Sequence, residues 1–328
     1  MRTTSSEVVF GYTILGVDFM CTAVSFNANG HFFGRNLDLE RGYGEKVVIT
    51  PRNFKFKMRC GEKLQKHYAI IGMAAVFDGY PLYFDAANEK GLCMAGLNFP
   101  NNAVYHPENK EKINITPFEF IPYVLGRCKN IDETKELLSK INIVNINFND
   151  KLPLSPLHWL VSDGEKSLTI ESVNGGLKVY ENTVGVLTNN PPFLKQMKNL
   201  EKYSSVFLQK LPQNDGGEDF GVGLDSKGLA GGFSSQDRFV RAVFVKQKSP
   251  IDIGGDAAIN HFFHILNSVA MPKGCVVTPT GEYEYTRYSC CMDCEKGDYY
   301  YTTYDSGEMI KVSLRDCNLS DSDIYICA

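Results

Sequence analysis

The sequence predicts an α+β fold in which antiparallel sheets are covered by helices. Three observations lead there. Short runs rich in β-branched and aromatic residues occur in two blocks; each block is followed by helical patterns; and neighbouring runs are joined by tight Asn- and Gly-containing turns. A doubly wound parallel sheet would instead alternate single strands with single helices.

Taken in order, the first strands are CTAVSF from Cys21 and HFFGRNLDL from His31, joined by Asn27-Ala28-Asn29-Gly30 as a hairpin. Cys21 is thereby placed at the start of a strand. Further strands are expected at Val47 to Thr50, Tyr68 to Gly72, Leu82 to Ala87 and, across Asn88-Glu89-Lys90-Gly91, Leu92 to Leu97. Helices follow at Pro117 to Cys128, with Pro near the start, and at Asp132 to Lys140, with Asp132 as its cap. The second half repeats the order, with strands at His158 to Ser162, Ser167 to Val173, Leu177 to Glu181 and Gly185 to Asn189. Helices come next at Phe193 to Leu208 and Ala257 to Ala270, and strands at Glu284 to Met292, Asp298 to Tyr304 and Met309 to Leu314. The Gly-rich run from Gly216 to Gly232 reads as a surface loop.

The 328 residues suffice for one large core, and 43% hydrophobic with 22% charged content is that of a folded globular chain. A net charge of -4 exerts no sequence-wide pull on nucleic acid or anionic membranes, and neither is expected as a partner. Residues Val8 to Val17 are apolar but too short to span a bilayer, and Asp18-Phe19-Met20 is not a small-residue cleavage site. We read residues 1 to 19 as an over-called stretch before a start at Met20, with a propeptide or signal as alternatives. The expected organisation is a leader over 1–20, absent from the active protein, and a single domain over 21–328. Most of the ten cysteines read as reduced thiols of a cytoplasmic protein. The Cys290, Cys291, Cys294 cluster raises the alternative of a metal or thiol-redox module, but neither a second Cys pair nor a histidine at ligand spacing follows it.

A cysteine nucleophile needs a base, because a free thiol titrates near pH 8.5. None of the six histidines falls in a recognisable Cys/His context. An α-amino group, with a reference pKa of about 7.7–8.0, serves equally well, and Met20-Cys21 at a chain start supplies thiol and amine on one residue once the Met is removed. Taken singly, Cys21 is a small buried hydrophobe, an arginine a surface ion pair and an asparagine a turn residue. The motifs around them change that reading.

MCTAV, FGRNLD at Phe33 to Asp38, PRNF at Pro51 to Phe54, NEKGLCMAGLNFP at Asn88 to Pro100, GVLTNNP at Gly185 to Pro191, DRFVRA at Asp237 to Ala242 and FFHILNSVAM at Phe262 to Met271 occur in order. Together they resemble the choloylglycine hydrolase family, which contains conjugated bile acid hydrolases and penicillin V acylases. The resemblance implies a four-layer αββα N-terminal-nucleophile fold, no metal or organic cofactor, and a homotetramer. It implies Cys21 as nucleophile with its freed amine as base, Arg35 beside the sulfur, Asp38 orienting the amine, Asn98 and Asn189 as oxyanion hole, and Arg238 completing the polar floor. Asp237, where the family often has a small residue, is a departure that puts the charge of Arg238 in question. Asn98 stands where penicillin V acylases tend to carry Tyr, which points to bile salts. The steroid wall is expected from Leu37, Met73, Ala74, Phe77, Ile143 and Ile146, each of which is also a candidate for ordinary core packing. The expected activity is hydrolysis of glycine- or taurine-conjugated bile salts; the alternatives are penicillin V or N-acyl homoserine lactone acylase, or a bile-salt-binding relative without turnover.

Overall fold

The computed structural model describes residues 20–150, 152–208, 223 and 226–327. Its first element is the expected hairpin: β1 (Cys21–Ala28) and β2 (Gly30–Leu39) pair antiparallel with Cys21 opposite Leu37 and Ala28 opposite Gly30. Next come β3 (Lys46–Thr50), β4 (Ile70–Phe77), β5 (Tyr80–Asn88) and β6 (Cys93–Asn98). The strand expected at Tyr68 to Gly72 thus starts later and runs to Phe77. Asp78 and Gly79, with φ of 51° and 72°, make the tight two-residue turn into β5, a Asp-Gly signal that marks hairpins.

β7 (Ile113–Ile115) leads to α1 (Pro117–Arg127) and α2 (Ile131–Leu138), then to β8 (Ile141–Ile143), which pairs in parallel with β7. The cap of α2 is Asn130, not Asp132: Asn130 Oδ1 accepts the Glu133 N–H at 2.9 Å, while Asp132 sits in the first turn. β9 (Leu157–Ser162), β10 (Ser167–Val173) and β11 (Gly176–Glu181) agree with expectation. β12 is reduced to Val186–Leu187, so Thr188 and Asn189 leave the ladder and turn inward. The helix expected over Phe193 to Leu208 is two, α3 (Phe193–Glu201) and α4 (Ser204–Leu208), separated where the N–H groups of Lys202 and Tyr203 bond the carbonyls of Asn199 and Leu200. The run from Gly216 to Gly232 lies largely outside the described residues.

Beyond it stands a helix that the sequence reading lacks, α5 (Ser235–Lys248), followed by α6 (Gly255–Asn267). Ser234 Oγ caps α5 by accepting the Asp237 N–H at 3.1 Å. The chain closes with β13 (Val276–Val277), β14 (Tyr283–Asp293), β15 (Asp298–Thr303), β16 (Ile310–Ser313) and β17 (Tyr325–Ile326).

Among the described residues these strands form two large antiparallel sheets. One runs β12-β1-β2-β14-β15-β16, with β13 beside β14; the other runs β11-β10-β9-β6-β5-β4-β3-β17. Helices α5 and α6 cover the outer face of the first and α1 that of the second, while β1 and β2 face β6 across the interior. The result is the four-layer αββα arrangement. One apolar cluster fills the space between the sheets and under α5 and α6; a second lies between the second sheet and α1 and α2. Because both faces of β2 are covered, His31 to Leu39 are all buried, and burial there shows no alternation. Gly34 is required by this closeness: a Cβ on it would lie 1.9 Å from the Cys290 carbonyl oxygen of β14.

Candidate active site

Strand alternation distributes the predicted residues around Cys21. Residues directly opposite on an antiparallel pair share a face, so Cys21 and Leu37 point the same way and Arg35, two residues from Leu37, points with them into the inter-sheet core. Asp38, one residue on from Leu37, points to the opposite face, toward α5. There Thr286 Oγ1 donates to Asp38 Oδ1 at 2.6 Å. A bulge in β14 between Thr286 and Tyr288 lets Thr286 face Asp38 while Tyr288 faces Leu37 and the interior.

Arg238 ties this outer group together from α5. Its Nη1 donates to the Cys21 carbonyl at 2.7 Å and to Thr22 Oγ1 at 2.6 Å, its Nη2 to Asn189 Oδ1 at 2.9 Å, and its Nε to the Phe233 carbonyl at 3.1 Å. Asp38 Oδ2 is 3.8 Å from Nη1. Asn189 Oδ1 also accepts the Cys21 N–H at 2.7 Å, and Asn189 Nδ2 donates to the Asn98 carbonyl at 2.8 Å. Asn98 ends β6, so Asn189 links the two sheets directly at the nucleophile. The Asn189 N–H is held by Ser235 Oγ at 2.9 Å, at the start of α5. Asp237 takes no part: its Oδ2 accepts from Ser234 Oγ at 2.8 Å, within the cap of α5. The counter-charge of Arg238 is Asp38.

The electrostatics follow from enclosure. Cys21 is 2% exposed, and burial pushes its thiol above the usual range; Arg35, the Asp38 backbone N–H and Arg238 pull it down, and the Asp38 carboxylate pushes it up. Arg35 is wholly buried, with Nη1 on the carbonyls of Gly96 at 2.6 Å and Phe84 at 3.1 Å; Cys21, Tyr288 and Asp85 hold its charge against burial. Burial raises Asp38 to about 6 against Arg238, Thr286 and Arg35, which favour its charged form. Met20 is still attached: its N–H donates to the carboxylate of Glu284, which burial raises to about 8, and its carbonyl accepts the Asp38 N–H at 3.1 Å.

The six predicted lining residues are not brought together. Leu37 and Met73 belong to the apolar cluster that contains Cys21. Ala74 and Ile143 are buried in the other cluster, across the second sheet, with Phe77 at its edge, and Ile146 is half-buried. A groove of about 1060 Å³ lined by residues including His106, Lys112, Asn142 and Glu181 contains none of the six and not Cys21.

Several participants escaped the sequence reading. Thr22, Thr286, Ser235 and Glu284 are ordinary polar residues whose place is decided by pairing across the fold; only Thr22, next to Cys21, had a local signal. Beneath Arg35, Asp85 accepts Tyr299 OH at 2.7 Å and Tyr288 OH at 2.5 Å. The cysteine cluster separates: Cys290 Sγ lies 3.5 Å from Asp85, while Cys294 Sγ lies 2.9 Å from Cys93 Sγ. All ten cysteines are free thiols. No helix among the described residues is long and apolar enough to cross a membrane.

Comparison with known proteins agrees with this geometry. A family model described as linear amide C–N hydrolases, choloylglycine hydrolase family, matches residues 21–327. The chain is 48% identical over 310 residues to a bile salt hydrolase/transferase of Lactiplantibacillus plantarum, covering 93% of this chain and 95% of that protein. It is 36% identical over 314 residues to one of Clostridium perfringens, covering 93% and 95%. A solved structure of a mutant conjugated bile acid hydrolase from Clostridium perfringens superposes with a TM-score of 0.87 at 35% identity, over 94% of this chain and 96% of that one. Penicillin V acylase from Agrobacterium tumefaciens shares the fold, with a TM-score of 0.76 at 20% identity over 93% and 90%.

Proposed function

The chain belongs to the choloylglycine hydrolase family of linear amide C–N hydrolases, and from that premise we propose that it cleaves the amide of glycine- or taurine-conjugated bile salts with Cys21 as nucleophile. The observation that carries the mechanism is the 2.7 Å contact of Cys21 N with Asn189 Oδ1, an oxygen shared with Arg238. While Met20 is attached, that nitrogen is a peptide N–H with no lone pair to offer, and the thiol has no base. We therefore assign activity to a chain that begins at Cys21. Freed, the same nitrogen becomes an amine held at one end by Asn189 and matched to neutral pH.

In the reaction the Cys21 thiol passes its proton to that amine, Arg35 favouring the developing thiolate, and sulfur attacks the amide carbonyl. The tetrahedral oxyanion is held by the second Nδ2 hydrogen of Asn189 and the backbone N–H of Asn98. The ammonium returns its proton to the departing glycine or taurine nitrogen as the C–N bond breaks, leaving a thioester. Water, deprotonated by the same amine, then cleaves the thioester and restores the thiol. Arg238 and Asp38 act as a neutralised pair that fixes the Cys21 carbonyl and Asn189, so the base and the oxyanion donor cannot drift independently.

Bile salts are favoured as substrate by the names of the relatives and by Asn98 at the mouth of the oxyanion hole. Of the six lining candidates, Leu37 and Met73, in the apolar cluster that contains Cys21, are proposed to meet the steroid; Ala74 and Ile143 pack in the core on the other side of the second sheet, with Phe77 at its edge, and are not assigned to the wall, nor is the half-buried Ile146. A cytoplasmic homotetramer is proposed on family resemblance, and light scattering after gel filtration tests it. Side-by-side turnover of glycocholate, taurocholate and penicillin V, with the N-terminal mass of the active protein, tests the whole reading. A preference for penicillin V overturns the substrate; full activity from an intact 328-residue chain overturns the mechanism.

A further inference from the structure

We infer that His31, Cys93 and Cys294 form a buried site for one Zn²⁺ ion that clamps the two sheets together. The three residues come from separate parts of the chain: His31 from β2, Cys93 from the first position of β6 and Cys294 from the turn after β14. One ligand atom from each lies within 4.8 Å of the other two, and all three residues are buried. His31 sits at the far end of the β1–β2 hairpin from Cys21, about 20 Å away for six residues of strand, so this cluster has no part in the amide chemistry.

Three features suit a thiophilic ion. The sulfurs stand 2.9 Å apart, closer than two thiols need to be; Cys93 also meets Gly91 O and Cys294 meets Met292 O, both 3.4 Å away, and Cys294 faces the His31 imidazole as well. His31 is held as a ligating histidine is held: Nε2 is engaged by Ser25 Oγ at 3.1 Å and Ser162 Oγ at 3.4 Å, while Nδ1 is buried without a hydrogen-bond partner. A proton on Nε2 donated to Ser25 leaves Nδ1 as a lone-pair donor. Charge balance then selects the ion. Two thiolates, one neutral imidazole and Zn²⁺ sum to zero, so the loaded cluster leaves no net charge in the closed core, and the sulfur-rich ligand set suits zinc over a hard cation.

Binding releases the two thiol protons to solvent and forms two Zn–S bonds of about 2.3 Å and one Zn–N bond of about 2.0–2.1 Å. A tetrahedral ion with those bonds spaces its sulfurs at about 3.7 Å, so the pair must part by about 0.8 Å. The carbonyls of Gly91 and Met292 stand beside the sulfurs as oxygen donors for the fourth position.

The test uses full-length protein carrying Cys21→Ser, so that the nucleophile adds no thiol of its own. After equilibration with Zn²⁺ and desalting, elemental analysis should find one zinc per chain, and Cd²⁺ should raise a thiolate-to-metal charge-transfer band. Cys294→Ser and Cys93→Ser should each abolish both signals, His31→Gln should weaken binding about 10-fold or more, and Cys290→Ser should leave them unchanged. Zinc should also protect Cys93 and Cys294 from alkylation in the folded protein, and a chelator should remove that protection, a readout that survives if the serine variants fold poorly. Zinc retention no higher than in Cys294→Ser overturns the proposal. So does a Cys93–Cys294 disulfide, found as a cross-linked peptide lighter by two hydrogens in a non-reduced map.

Discussion

Replacing Asn189 by Asp and by Ala separates two tasks that the proposed mechanism loads onto one side chain. Asp keeps the shape and the acceptor oxygen that meets Cys21 N at 2.7 Å and Arg238 Nη2 at 2.9 Å, but puts an oxygen where Nδ2 donates to the Asn98 carbonyl at 2.8 Å. The new carboxylate gains Arg238 as partner, which offsets its repulsion from Asn98. Asn189→Asp should therefore stay folded while losing one oxyanion donor, a change of about 100- to 1000-fold in kcat, or about 2.7–4 kcal/mol, with KM little altered. Ala loses the donor and also strands two buried donors, the Cys21 nitrogen and Arg238 Nη2, at about 1–3 kcal/mol each. It should show the same or a larger fall in kcat together with a clearly lower melting temperature. Glycine release from glycocholate, measured with ninhydrin across substrate concentrations, and thermal melts of the same preparations give both numbers. An Asn189→Asp enzyme within a few-fold of wild-type kcat would refute the assignment of Nδ2 to the oxyanion.

Three further outcomes follow from the same geometry. Arg35 pulls the Cys21 thiol down, so Arg35→Leu should move the pH midpoint of iodoacetamide inactivation upward, as rate-against-pH profiles of the trimmed enzyme will record. Asp38 is held at about 6 against an ordinary 3.8, so between those values the folded state binds more protons than the unfolded one and stability falls as pH rises. This group alone costs about 3 kcal/mol by pH 6.5, and Asp38→Asn should flatten the urea-midpoint profile between pH 4 and 6. Gly34→Ala places a methyl 1.9 Å from the Cys290 oxygen and should lower stability by about 3 kcal/mol or more, seen as a reduced urea midpoint with loss of activity.

Local chemistry made much of this readable in advance. The β1–β2 hairpin is marked by its turn residues, and the αL-favouring pair Asp78-Gly79 marks the β4–β5 turn, although β4 itself runs on to Phe77, beyond the Tyr68 to Gly72 that its residues suggest. Helix α5 is marked as clearly, by the Ser234 cap three residues before Asp237 and by Phe239, Val240, Val243 and Phe244 at helical spacing, although its Arg238 also carries site chemistry. The cap of α2 shifted from Asp132 to Asn130 because either residue type suits the position and only backbone geometry separates them.

What the sequence by itself determined is the identity of the parts: a strand-initial Cys21, the family motifs that carry Arg35, Asp38, Asn98, Asn189 and Arg238, and an αββα fold to hold them. What only the tertiary structure decided is which parts meet. Met73 and Ala74 are neighbours in sequence and lie in different apolar clusters, because a strand covered on both faces sends successive side chains to opposite sides while showing no alternation in hydrophobicity to reveal which is which. Asp237 stands beside Arg238 in the chain, yet it is Asp38, from another element, that meets the guanidinium, since a helix turns adjacent residues apart by about 100°. Cys294 looked for its partner within Cys290 and Cys291 and found it in Cys93, 201 residues away, because sheet packing, unlike a ligand motif, joins side chains without regard to their spacing.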